Sequence, residues 1–316
     1  MAFSVLIIDP MHPTLMPMLQ EMGLEPDYQP ELKQEEVLAR LPHYEGLIVR
    51  GKLKLDRSLL SQAKRLKFIG RAGSGVDIID MEAAADYQIQ VFNAPEGNRD
   101  AVAEYTLGAL LSFLHNITKS NAEVKNYVWD REGNRGIELR EKKIGVIGYG
   151  NIGQQVVRRL AGFDCQVLVY DKYKMGTFQT PTYAREAEME EIFDQCDMMT
   201  FHVPLTNETR GMIDETYLNH FRKPIVLINT SRGEILRLDA LRHALETKKV
   251  IGAALDVLEN EKLAAFTPEQ KDNFEFLRQA NNVILTPHIA GWTHESYRRI
   301  NEVLVEKIRL LFPELA

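Results

Sequence analysis

Two kinds of apolar patterning alternate over the first 95 residues. Short unbroken runs at Val5–Asp9, Gly46–Arg50, Leu66–Gly70 and Gln90–Phe92 read as buried strands. Between them, apolar positions recur at helical spacing over Leu15–Met22, Gln34–Leu41, Arg57–Ala63 and Met81–Tyr87. Such alternation predicts a parallel sheet covered by helices. Asn93-Ala94-Pro95 is expected to close this unit, because the residue before a proline favours extended backbone. A long helical pattern follows over Ala101–His115, apolar around most of its surface and so buried or at an interface. Asn121–Arg140 is polar and irregular around Tyr127 and Trp129, and reads as an arm lying across a partner or the neighbouring domain.

A second α/β unit begins at Lys143. Its expected strands are Ile144–Gly148, Val167–Tyr170, Met198–Phe201, Ile225–Asn229, Gly252–Leu255 and Val283–Leu285. Six strands with intervening helices is the count of a doubly wound dinucleotide-binding sheet. The connection over 258–280 is long enough to need structure of its own, placed at Pro268–Gln279. A last helix is expected over Glu295–Leu311, free to fold back on the first unit.

The strand at 144–147 breaks into Gly148-Tyr149-Gly150-Asn151-Ile152-Gly153, and Val156, Val157 and Leu160 then follow at helical spacing. In a strand–turn–helix unit Gly148 makes the tight turn, Gly150 lets backbone approach a pyrophosphate, and Gly153 lets helix and strand pack closely. The helix N-terminus offers free N–H groups to that pyrophosphate. The next strand ends at Asp171, eighteen residues after Gly153, where an acid can accept hydrogen bonds from both adenosine-ribose hydroxyls. That carboxylate would repel a ribose phosphate, so NAD is expected over NADP, against the opposing charges of Lys172 and Lys174.

Composition changes this picture little. At 316 residues there is room for two cores, and a net charge of −7 without a basic block argues against nucleic acid. Cys165 and Cys196 sit in or beside apolar segments, which suggests reduced buried thiols and no metal site. The N-terminal strand has no basic leader, and the longest uncharged apolar stretch, Tyr105–Thr118, is too short to span a bilayer. No membrane association and a cytoplasmic setting are expected.

Three chemically useful residues follow strand ends: Arg232 in Asn229-Thr230-Ser231-Arg232-Gly233, Glu261 in Asp256-Val257-Leu258-Glu259-Asn260-Glu261, and His288 in Thr286-Pro287-His288. Hydride transfer between an alcohol and a nicotinamide needs a group that exchanges the hydroxyl proton, and imidazole suits neutral pH. A carboxylate beside it favours the protonated ring and fixes its orientation. A guanidinium can grip a substrate carboxylate with two parallel hydrogen bonds. His202 also follows a strand end and is the rival imidazole, lining the cofactor if it is not the base; Glu259 is the alternative acid.

With these segments the chain resembles the D-isomer-specific 2-hydroxyacid dehydrogenases along nearly its whole length. The matching stretches are Gly70-Arg71-Ala72-Gly73-Ser74-Gly75-Val76-Asp77, the Gly148 loop, Asn229–Gly233, Asp256-Val257 and Pro287-His288. The resemblance implies an α/β protein of two doubly wound parallel-sheet domains. A Rossmann cofactor domain (96–290) is inserted in a flavodoxin-like substrate domain (1–95 and 291–316). It implies Arg232, Glu261 and His288 as catalytic residues and NAD as cofactor. Contacts to the cofactor would come from Gly148, Gly150, Asn151, Ile152, Gly153, Asp171, His202, Val203, Pro204, Thr230 and Asp256, the last near the carboxamide. The backbone of Gly73, Ser74 and Gly75 would hold the substrate carboxylate. Arg50, Arg71 and Arg131 resemble the arginines that relatives direct at a phosphate, which makes D-3-phosphoglycerate, in serine biosynthesis, the expected small-molecule substrate. A homodimer through the cofactor domains and the arm is also implied.

Some positions depart from the family pattern. Lys262 follows Glu261 where proline is common, with a longer insertion behind it, and Trp292 follows Gly291 where a small residue is common. The regulatory domain that ends some relatives is not in this sequence, so serine feedback through it is not expected. Two alternatives stay open: a glyoxylate or hydroxypyruvate reductase, and an NAD-sensing corepressor resembling the C-terminal-binding proteins. The full Arg232, Glu261 and His288 set favours an enzyme.

Overall fold

In the computed structural model, which describes residues 3–311, the chain forms two compact units. The first comprises residues up to Asp100 together with those from Trp292 onward; the second is Ala101–Gly291.

The first unit carries five parallel strands, β1 (Ser4–Ile7), β2 (Glu25–Tyr28), β3 (Gly46–Val49), β4 (Phe68–Arg71) and β5 (Gln90–Asn93), in the order β2-β1-β3-β4-β5. This is the flavodoxin-like order. Strand residues alternate between two buried faces. Leu6, Ile8, Leu47 and Val49 pack on Val37, Leu59 and Ala83. Val5, Ile7, Ile48 and Phe68 pack on Leu15, Leu19 and the C-terminal helix His294–Arg309 through Leu304 and Ile308. Burial on both faces is why these strands read as continuous apolar runs.

The second unit has seven parallel strands: β6 (Lys143–Ile147), β7 (Gln166–Tyr170), β8 (Ala184–Glu186), β9 (Met198–Phe201), β10 (Ile225–Asn229), β11 (Val250–Leu255) and β12 (Val283–Leu285). Their order is β12-β11-β10-β9-β6-β7-β8. From β6 the chain moves outward through β7 and β8, then returns to β9 on the other side of β6. That reversal between β6 and β9 is the switch point where ligands bind such sheets, beyond the strand C-termini.

Three sequence expectations are corrected. β2 and β8 were absent from the expected strands; both lie at sheet edges, and neither Glu25-Pro26-Asp27-Tyr28 nor Ala184-Arg185-Glu186 has an apolar run. The helix expected from Ala101 starts at Pro95 and ends at Leu114, because proline is well suited to a first helical position. Part of the expected irregular arm is a helix, Ile117–Lys125, with no buried residue and therefore no apolar stripe to read. The insertion helix is Pro268–Gln279, opened by a Thr267–Gln270 capping box. Among the described residues no helix is long and apolar enough to cross a membrane.

The C-terminal helix should be an integral part of the first core. Leu304 is fully buried there, so Leu304→Ala is expected to lower unfolding stability by about 2–5 kcal/mol. Urea unfolding of the two proteins checks this. A loss below about 1 kcal/mol, ordinary for a surface position, would detach the helix from that core.

Candidate active site

At the end of β6 the glycines have distinct surroundings. Gly148 has a φ of 94°, and a Cβ on it would lie 2.6 Å from the His202 carbonyl oxygen. A Cβ on Gly153 would collide with the carbonyl oxygen of Gly148, whereas nothing lies within 4 Å of the corresponding point on Gly150. The turn is thus closed on two sides and open on the third, where a diphosphate could approach backbone. Gly150 caps the helix Asn151–Leu160 without a side-chain hydrogen bond. First-turn N–H groups therefore remain available to an anion. Asn151 is exposed at the first helical position and Ile152 packs on the core.

Asp171 follows β7. Its carboxylate accepts the Tyr149 N–H at 2.8 Å on one oxygen and the Tyr173 N–H at 3.1 Å on the other. Each oxygen keeps a lone pair for a ribose hydroxyl. The flanking lysines are engaged elsewhere: Lys172 pairs with Glu208 at 2.7 Å, and Lys174 donates to the Tyr149 carbonyl at 3.2 Å. These residues fit NAD.

Across the switch point, the His202 N–H donates to the Ile147 carbonyl at 2.7 Å. The ring's Nε2 meets the Thr200 hydroxyl at 3.0 Å, while Nδ1 is buried without a partner. Burial drives this imidazole down to about 3. It stays neutral near pH 7. Val203 is half-buried against the core, and Pro204 is exposed.

Arg232, Glu261 and His288 leave the C-terminal ends of three adjacent strands, β10, β11 and β12. Asn229, Leu255 and Leu285 are in register there, so the outer two strands lie about 10 Å apart. His288 Nδ1 donates to Glu261 Oε1 at 2.8 Å, and both side chains are about half exposed. The ring's Nε2 is thereby left as the acceptor. Buried Asn229 shapes the Arg232 turn: its Oδ1 accepts from the Ser231 hydroxyl at 2.8 Å, and its Nδ2 donates to the Arg232 carbonyl at 3.0 Å. A Cβ on Gly233 would collide with the Leu258 carbonyl, so the Arg232 turn lies against the segment leading to Glu261. Of the two candidate acids it is Glu261, and not Glu259, whose carboxylate is paired with His288.

Asp256 is 2% exposed. Its Oδ1 accepts from the Thr286 hydroxyl at 2.7 Å and the Ile289 N–H at 2.9 Å, its Oδ2 from the Ala290 N–H at 2.7 Å. Its own carbonyl accepts the His288 N–H at 2.8 Å. Tyr105 bonds to Thr286, and the hydroxyl of buried Thr230 meets that of Thr106 at 3.0 Å. Sequence reasoning missed Asn229, Tyr105 and Thr286. Only Asn229 left a signal, a polar residue ending an apolar strand.

In the first unit Arg50 follows β3 and Arg71 ends β4, with Val49 and Arg71 in register. Arg71 Nη1 donates to the Ala72 carbonyl at 3.1 Å. The Gly73–Gly75 turn is tied down by Asn93 Nδ2 on the Ser74 carbonyl and by the Ser74 hydroxyl on Asn98, each at 2.6 Å. Arg131 belongs to the second unit, exposed on the loop after the helix 117–125. Among the described residues no group of three or more His, Cys, Asp or Glu is placed to hold a metal ion.

Residues 107–290 match the model of the D-isomer specific 2-hydroxyacid dehydrogenase NAD binding domain. The chain is 37% identical over 315 residues to D-3-phosphoglycerate dehydrogenase of Methanocaldococcus jannaschii, covering 99% of this chain and 58% of that protein. It thus spans little more than half of that relative's length. It is 33% identical over 277 residues to hydroxypyruvate reductase of Thermotoga maritima, covering 88% of each. Among solved structures, D-lactate dehydrogenase from Aquifex aeolicus, complexed with NAD and lactic acid, superposes with a TM-score of 0.84 at 27% identity. That match covers 98% of this chain and 96% of the other.

The enclosure of His202 has a pH signature. Its folded value of about 3 lies below the ordinary 6.5. Between the two the unfolded chain takes up a proton that the folded chain refuses, so stability falls as pH drops below 6.5. At full slope this amounts to about 2 kcal/mol between pH 6.5 and 5. His202→Asn should flatten the pH dependence of urea unfolding by that amount; equal slopes in the two proteins would contradict the enclosure.

Proposed function

The chain belongs to the D-isomer specific 2-hydroxyacid dehydrogenase family, and we propose that it oxidises a D-2-hydroxy acid to the 2-oxo acid with NAD. The proposed substrate is D-3-phosphoglycerate and the product 3-phosphohydroxypyruvate, a step of serine biosynthesis. The observation that carries this reading is the 2.8 Å His288–Glu261 pair. It stands on the same sheet edge as Arg232, in the unit that bears the Gly148 loop.

The Gly148–Gly153 turn and Asp171 would hold the diphosphate and ribose, with His202, Val203, Pro204, Thr230 and Asp256 toward the nicotinamide end. NAD, when bound, supplies the hydride acceptor. The residues of the chain handle the proton and the charges. His288 takes the hydroxyl proton at Nε2, since Nδ1 is committed to Glu261. Glu261 stabilises the resulting imidazolium, and Arg232 orients the carboxylate and the developing carbonyl. Neutral, enclosed His202 has the wrong environment for this task. In the first unit the Gly73–Gly75 backbone offers N–H groups to the carboxylate, and Arg50 and Arg71 stand at the same sheet edge; Arg131 is the third arginine assigned to the phosphate.

A second reading is hydroxypyruvate reductase, favoured by the 88% mutual coverage with the Thermotoga maritima relative. Initial rates with phosphorylated and unphosphorylated acids separate the two. In the same assay His288→Ala should lose about two to four orders of magnitude in turnover while still binding NADH. Retained turnover would remove His288 from the chemistry, and failure of the unchanged protein on every 2-hydroxy and 2-oxo acid would remove the enzyme reading.

We also propose a homodimer through the arm, where Tyr127 is 100% and Trp129 85% exposed. Tyr127, Val128 and Trp129 make one contiguous exposed apolar run, and such patches mark contact surfaces. Sedimentation should show a dimer, and Trp129→Asp a shift toward monomer; a monomeric unchanged protein would refute the assignment.

A further inference from the structure

Arg50 is held differently from most arginines of this chain. Arginines such as Arg57, Arg65, Arg185 and Arg299 each face a carboxylate. Among the described residues no carboxylate is paired with the Arg50 guanidinium. Its carbon instead lies 3.7 Å from the centroid of the Trp292 ring and 5.2 Å from that of Tyr297. The two rings are 5.2 Å apart and tilted by 47°, and Tyr297 in turn meets His12 edge to face at 5.6 Å. The backbone is fixed as well: Asp9 Oδ2 accepts the Arg50 N–H at 2.6 Å and the Gly51 N–H at 3.3 Å. Asp9 Oδ2 is thus occupied by main chain; burial lowers the Arg50 guanidinium's hold on its proton, with Tyr297 and the Asp9 charge acting the other way.

The geometry separates the two ways a guanidinium binds. Its flat face is covered by aromatic rings, a cation–π contact. Its donors lie in the guanidinium plane, in the fork that matches phosphate or carboxylate oxygens. In Arg50 the face is covered and, among the described residues, the fork has no protein acceptor. It stands beside β4 at the C-terminal edge of a parallel sheet, where ligands bind. An arginine on a free stem loses rotamer freedom when it grips an anion; stacking removes that freedom beforehand.

We propose that Trp292 and Tyr297 are positioning residues that hold Arg50 as a preset fork for the substrate phosphate, and that Trp292 thereby sets the preference for a phosphorylated over an unphosphorylated acid. The inference rests on the phosphoglycerate reading above for the identity of the ligand. It does not rest on that reading for the fork itself.

The test uses the full chain. Trp292 is 52% exposed, so replacing it should not prevent folding. Trp292→Ser is expected to raise KM for D-3-phosphoglycerate about tenfold, the size of one partly desolvated cation–π contact, with kcat and KM for D-glycerate unchanged. Trp292→Phe, which keeps an aromatic face, should recover most of the loss. An unchanged or lower KM, or an equal rise for both acids, overturns the proposal. A second readout needs no turnover. In a Trp129→Phe background Trp292 is the single indole. Its emission should change saturably with 3-phosphoglycerate or inorganic phosphate, not with D-glycerate, and Arg50→Ala should abolish the change. If no phosphorylated acid is turned over but the emission responds through Arg50, the substrate reading falls and the fork stands. No response overturns the fork.

Discussion

The candidate site depends on one buried carboxylate. Among the described residues Asp256 has no basic partner in contact, yet it is almost wholly enclosed. It is satisfied by a hydroxyl and two N–H groups, while its own carbonyl takes the N–H of His288. The consequence falls on His288, whose φ of 56° puts a residue with a Cβ in the left-handed region. That conformation costs about 1–3 kcal/mol. Hydrogen bonds to a charged acceptor contribute about 1.5–3 kcal/mol each, and Asp256 makes three, so the clamp wins. The direction of the imidazole is thereby set by backbone, which matters for a side chain half in water that has few packing contacts to aim it. The remaining lone pair on Oδ2 is compatible with the carboxamide contact expected from the sequence. Holding the turn comes first.

How far the sequence discloses the fold follows from what each element buries. The central strands are covered on both faces and stand out as apolar runs. β2 and β8 are edges: each pairs on one side only, contributes little to either core, and consists of residues such as Glu25, Asp27, Arg185 and Glu186 that carry no pattern. Pro95 misleads for a related reason. The constraint that keeps Ala94 extended also suits proline to open a helix, and residue spacing alone does not say which use is made of it. The helix 117–125 buries nothing, so it leaves no stripe.

For the site, sequence order goes a long way because a parallel sheet converts it into position. Residues a few places beyond β10, β11 and β12 must emerge at one edge, and Arg232, Glu261 and His288 do. What holds them is another matter. The bond between Tyr105 and Thr286, the stack of Arg50 on Trp292 and the closure of Asp256 over residues 286–290 join positions separated by tens to hundreds of residues. No local pattern encodes such pairs. Trp292 stood out in the sequence only as a large residue in a place for a small one, and Arg50 only as a candidate for the phosphate, with nothing to join the two.

The two imidazoles at strand ends show how environment, not residue type, separates their roles. His202 and His288 leave β9 and β12, and the sequence ranks His202 second only because no acid lies near it along the chain. The His202 backbone lies against the Gly148 turn and its ring Nδ1 is buried without an acceptor, so a proton there would be a buried unpaired charge. Such a ring can fill space and shape a cofactor-facing wall, but it cannot take a proton at neutral pH. His288 stays half in solvent with a carboxylate on one nitrogen, so a proton on the other creates an ion pair instead of an isolated charge. Asp256 fixes the backbone at and just after residue 288, and from that backbone the ring reaches Glu261 while half exposed, which is the environment His202 lacks.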